Sequence, residues 1–185
     1  MLRFILLISL LFLSVQGVQA DSGFDRLLTG VALISQQANI EIDDAGTITQ
    51  LSETGTGFGF YADKYLNGEY RLSGIISFVD YSDFYVMSAA ASADYLIPIS
   101  AQYAGFVGAG LGVSSQNYSN ASVSESAMAM AYGVQLGMIA FVSNQLMLEV
   151  GYRLRATDLK TDFVSGRTGM LDEITESYIS ITFTF

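Results

Sequence analysis

Seven charged side chains carry most of the chemistry this sequence offers: Glu69, Asp94, Glu149 and Glu176 against Arg71, Arg153 and Arg155. Each falls on the small or polar side of a segment whose alternate positions are large and apolar. All seven are therefore expected to point into one interior. Carboxylates and guanidinium groups in contact make strong, geometrically specific pairs. If the short link Tyr81-Ser82-Asp83 sets a hairpin register, Arg71 falls opposite residue 93, close to Asp94. Arg153 or Arg155 then meets Glu176 across the last hairpin, and Glu149 reaches Arg71 across the interior. Two roles suit such a network: a plug that fills a narrow interior, or a gate on a path for ions.

Catalysis has little to work with. The chain contains no histidine and no cysteine, so Ser-His and Cys-His nucleophile pairs cannot be built. No enzymatic function, cofactor or metal site is expected. Gly55, Gly57 and Gly59 in TGTGFGF lack the strand–turn–helix context of a phosphate loop, because Phe58 and Phe60 continue a strand pattern. The acidic groups Glu41, Asp43, Asp44 and Glu53, and Asp158, Asp162, Asp172 and Glu173, lack EF-hand spacing and read as solvated surface.

Eight strand-like segments must position the charges, near 27–36, 54–63, 68–80, 84–97, 102–115, 126–142, 145–157 and 174–185. Their connections alternate: DKYLNG, PISA and VSN are short, while 37–53, 116–125 and 158–173 are long, and only the link at 81–83 breaks the rule. QLMLEVGYRLR shows the pattern most clearly. Leu146, Leu148, Val150, Tyr152 and Leu154 share one face, and Met147, Glu149, Gly151, Arg153 and Arg155 share the other. In the third, fifth and sixth segments too, large apolar residues oppose glycine, alanine and a few polar groups. A soluble ligand-binding barrel would turn the large face inward, but the small face makes a poor water-facing exterior and a good filling for a narrow barrel. The large face is therefore expected against lipid. There a sheet must close on itself to leave no unpaired edge.

The compartment agrees. MLRFILLISLLFLSVQGVQA has the charged start, apolar run and small-residue end of a signal peptide over 1–20. Residues 21–185 then form one domain. Seven of the eight basic residues remain there against all 18 acidic ones, which excludes the basic footprint of a nucleic-acid binder. Tyr70, Tyr85, Tyr95, Tyr103, Tyr152 and Phe185 fit the aromatic girdles of a membrane barrel.

On these residues the chain resembles the eight-stranded outer-membrane barrels of the OmpA/OmpX and opacity-protein type, over essentially all of 21–185. The resemblance implies an all-β, up-and-down antiparallel transmembrane barrel, monomeric, in a bacterial outer membrane among lipid and lipopolysaccharide. It also implies that the last strand is an assembly signal for the barrel-assembly machinery: Tyr178, Ile179, Ile181 and Phe183, ending on Phe185. A cell-wall-binding domain after the barrel, and with it a cell-wall anchoring role, is not expected. The expected role is structural or adhesive, through an extracellular ligand of loops 37–53, 116–125 and 158–173; the alternative is a channel for ions or small solutes.

Overall fold

The computed structural model describes residues 27–44, 46–66, 68–120, 123–143, 145–162 and 168–184. The signal peptide expected over 1–20 and the terminal Phe185 lie outside them. Eight strands follow in chain order: β1 (Leu27–Asp44), β2 (Thr47–Leu66), β3 (Tyr70–Asp80), β4 (Phe84–Pro98), β5 (Tyr103–Asn120), β6 (Val123–Phe141), β7 (Leu146–Asp162) and β8 (Thr168–Thr184). Each pairs antiparallel with its chain neighbour and β8 pairs with β1, closing an up-and-down barrel with no edge at its waist.

Alternation decides what lies inside. Large apolar side chains stand outward and exposed along the strands, among them Leu33, Phe60, Leu111, Val134, Val150 and Ile179. The exposed face at this level is thus a continuous apolar band, the surface a bilayer requires of a spanning barrel. Leu136 and Leu148 belong to it, which rules out a soluble barrel with its leucines inside. Tyr70, Tyr85, Tyr95, Tyr103 and Tyr152 are exposed on the same surface, and Tyr70 and Tyr95 pack together with ring centroids 5.6 Å apart.

The barrel is taller than its apolar band. Segments expected as loops at 37–53, 116–125 and 158–173 are largely strand, with β1 and β2 paired without interruption from Leu27↔Lys64 to Asp44↔Thr47. Apolar alternation stops where the strands leave the hydrocarbon, because the outward face there meets water. The backbone ladder continues regardless. Apart from Ile48 and Leu51, exposed positions on this crown are mostly polar, and several bond to each other: Gln37 donates to Ser52 (2.7 Å), Ser52 to Asn39 (3.1 Å), and Gln50 to Glu41 (2.7 Å). The link between β3 and β4 remains short, so the crown is uneven, high over β1–β2 and low over β3–β4.

Candidate functional site

The register carries one rung of lumen-facing residues around the wall. Arg71 of β3 pairs with Asp94, Asp94 with Gly108, Gly108 with Gln135, and Gln135 with Arg153. Arg153 pairs with Glu176, Glu176 with Gln36, and Gln36 with Gly55. One step beyond the Thr56↔Asp80 pair, the rung meets Tyr81, ten residues beyond Arg71 where it began. Strands tilt in a closed barrel, so the rung is a spiral rather than a ring.

Side chains along this spiral bond in series. Arg71 donates from Nε to Asp94 (2.8 Å), and Gln135 donates to the other Asp94 oxygen (2.5 Å) and to Ser92 (3.0 Å). Arg153 donates to Gln135 (2.8 Å), Glu176 (2.5 Å) and the Tyr61 hydroxyl (2.8 Å). Glu176 also accepts from Arg155 (2.5 Å) and Gln36 (2.9 Å), and Tyr81 donates to Gln36 (2.7 Å). Where a side chain must reach across two strands, the rung carries glycine. A Cβ at Gly108 would lie 1.9 Å from Asp94 Oδ1 and 2.6 Å from the Ala93 carbonyl oxygen; one at Gly55 would lie 2.9 Å from the Tyr81 ring.

A second layer holds the arginines in place. Glu149 accepts from both terminal nitrogens of Arg71 and from the Tyr178 hydroxyl (2.5 Å). The Arg71 guanidinium lies 4.5 Å from the Phe106 ring centre, and that of Arg153 lies 3.9 Å from Tyr178 and 5.2 Å from Tyr61. These rings need flat neighbours: a Cβ at Gly151 would sit 2.3 Å from Tyr178, and one at Gly137 2.5 Å from Phe106. The inward glycines of β6 and β7 thus make room for aromatic plates beneath the guanidinium groups.

Of the seven charges anticipated inside, six are there: Arg71, Asp94, Glu149, Arg153, Arg155 and Glu176. Glu69 is not. It sits exposed in the turn before β3, which begins only at Tyr70, and its carbonyl accepts from the Leu96 amide (2.7 Å). The fourth interior carboxyl is Asp63, which is 2% exposed. Assigned to the turn DKYLNG, it escaped notice because β2 runs on to Leu66. The alternation Tyr61, Asp63, Tyr65 against Ala62, Lys64, Leu66 was the signal for it.

Above the spiral the filling turns apolar. Ile40, Leu159, Leu171 and Ile174 point inward from β1, β7 and β8 and are almost wholly buried. A bulge at Asp172 lets β8 keep Leu171 inside along with Ile174. A cavity of about 30 Å³ along the wall of β3–β7 is bordered by Ser77, Ser88, Ser92, Ser114, Gln135 and Arg153, room for a water molecule or two. Among the described residues no cluster of histidine, cysteine or carboxylates is arranged to hold a metal ion.

A closed antiparallel eight-stranded up-and-down wall, apolar outside and filled with paired charges, defines the fold class of a small transmembrane β-barrel. Solved structures with this architecture include Neisserial surface protein A, with TM-score 0.64 and 17% identity over 90% of this chain and 100% of that one. Outer membrane protein OprG from Pseudomonas aeruginosa gives 0.56 and 13%, covering 89% and 99% of the two chains. Outer membrane protein AlkL, determined in DMPC bilayers, gives 0.52 and 12%, covering 91% and 94%. Identities this low show a shared fold. Neither a protein-family model nor a curated protein sequence matches the chain.

Proposed function

We propose that this protein is a bacterial outer-membrane barrel that conducts nothing and acts as a rigid mount for its crown, with a structural or adhesive role at the cell surface. The observation that carries this reading is the filling of the lumen, where a series-bonded polar spiral lies beneath an apolar layer of Ile40, Leu159, Leu171 and Ile174. The crown supports it: strands β1 and β2 extend well past the apolar band as a paired hairpin with a mostly polar exterior. Removal of residues 1–20, insertion by the barrel-assembly machinery through Tyr178, Ile179, Ile181, Phe183 and Phe185, contact with lipopolysaccharide, and a monomeric state complete the proposal. No catalytic step is assigned to it.

The test is single-channel recording of the refolded protein in a planar bilayer, beside Arg153→Ala. An inserted, compact barrel that stays silent supports the mount. Discrete conductance steps altered by Arg153→Ala would establish the alternative, an ion or small-solute channel gated by the Arg153–Glu176 pair. For the surface role, cells carrying a variant with the β1–β2 tip (41–50) replaced by a two-residue turn are expected to lose attachment that the full-length protein confers. Unchanged attachment would remove the crown from that role.

A further inference from the structure

The charges of the lumen do not balance locally. Toward the short-turn end three carboxyls, Asp63, Asp94 and Glu149, surround one guanidinium, that of Arg71; toward the crown Arg153 and Arg155 share Glu176. Arg71 is already committed, giving Nε and Nη2 to Asp94 and both terminal nitrogens to Glu149. Asp63 has no ion pair within 4 Å among the described residues. Its Oδ1 is buried without a hydrogen-bond partner, and so is Oγ of Ser73, its register partner across the β2–β3 ladder.

Other groups facing this corner do not resolve the defect. Tyr61 and Tyr65 from β2 and Tyr178 from β8 are phenols, with the Tyr61 hydroxyl accepting from Arg153 and the other two donating to Met147 and Glu149. Asp94 of β4 and Glu149 of β7 add negative charge. On the β1 side Asp63 pairs with Leu28, which brings no polar side chain. A carboxylate left without an ion pair in a dry interior is far more costly than in water, and the Ser73 hydroxyl beside it can offer a hydrogen bond but no charge.

We infer that Asp63 and Ser73 form a site for one small cation bound through oxygen, either a proton or an alkali-metal ion. A neutral water would supply a hydrogen-bond partner but leave the surplus charge. A cation cures both.

Thermal unfolding of the refolded full chain in detergent micelles tests this in two arms at constant ionic strength. In the first, at about pH 8, N-methylglucamine chloride is replaced stepwise by sodium chloride. In the second, pH is raised without sodium. A bound alkali ion gives a midpoint that climbs with sodium, by roughly 3 °C or more, about the shift that one kcal/mol produces in a chain of this size. A bound proton gives a midpoint that falls as pH rises, because an acid held in its protonated form loses that stabilisation on ionising. Asp63→Asn, which removes the charge at the same shape, is expected to remove the response in either arm, and Ser73→Ala to weaken it. A wild-type midpoint indifferent to sodium, with the same pH dependence as Asp63→Asn, overturns the inference. Should Asp63→Asn fail to fold, the wild type still decides: a protonated-carboxyl stretch in its infrared spectrum that titrates away supports the proton, and its absence together with indifference to sodium refutes the site.

Discussion

At the residue scale the lumen is built from complementary pairs of large and absent side chains. Glycine in a strand weakens it intrinsically, yet here it clears the path of Asp94 and the rings of Tyr178 and Phe106. Gly151→Ala is expected to cost about 1–3 kcal/mol, the usual penalty of overpacking, read as a lower urea midpoint. Gly108→Ala should cost more than Gly151→Ala, because one of its clashes is with the Ala93 backbone, which cannot rotate away. Arg153→Ala leaves Glu176 without the more buried of its two cationic partners, and breaking a buried pair typically costs about 3–5 kcal/mol. Arg155→Ala should cost less, since Arg155 is more exposed and its Nε has no partner to lose. Equal losses for the two arginines would contradict the geometry described. The Arg71–Asp94 neighbourhood was legible in the sequence to within one residue, because the short link at 81–83 fixes the hairpin register: Arg71 is expected opposite residue 93 and pairs with Asp94. Glu69 and Asp63 were not, because both lie where strand passes into turn and only backbone pairing tells which side of that boundary a residue occupies.

At the scale of elements, the exterior of each strand records where hydrocarbon ends. Val134 lies midway along the apolar exterior of β6, and Asn39 lies on the polar exterior of β1. Val134→Arg is expected to destabilise the barrel in lipid by about 2–4 kcal/mol, whereas Asn39→Arg should stay within about 0.5 kcal/mol, as for an ordinary surface change. Comparable losses would mean that the bilayer reaches the crown. The same boundary explains why strand ends were misread as loops: the outward face there turns largely polar, and the inward apolar residues such as Ile40, Leu159 and Leu171 are too sparse to give a clear period of two. The bulge at Asp172 leaves an electrostatic trace. Partial burial, with Glu41 and Asp158 nearby, pushes the Asp172 carboxyl above its ordinary range. A raised carboxyl stabilises the fold only while protonated and withdraws that contribution as pH rises through its titration. Asp172→Asn is therefore expected to melt slightly higher than wild type at neutral pH, with the gap closing as pH falls below about 4. A gap that widens in acid would reverse the sign and refute the account.

The whole molecule was the most legible level, because period-2 alternation repeated in eight segments leaves few architectures able to hide so many apolar faces. What alternation cannot convey is height and closure, which depend on pairing between residues far apart in the chain, as in the contact of Glu176 with Gln36. The spiral bears on a problem that alternation leaves unsolved. A slip of one residue between strands turns every side chain inside out and is strongly forbidden, but a slip of two keeps greasy outside and polar inside. Against that error the inside–outside pattern is blind. The spiral is not: displacing β1 by two residues along β8 would take Gln36 away from Glu176 and lift Gly30 from the gap it occupies against Thr182. The polar filling thus acts as a combination lock on closure of the barrel, favouring among same-facing registers the one in which Glu176 keeps Gln36 and Gly30 keeps its gap.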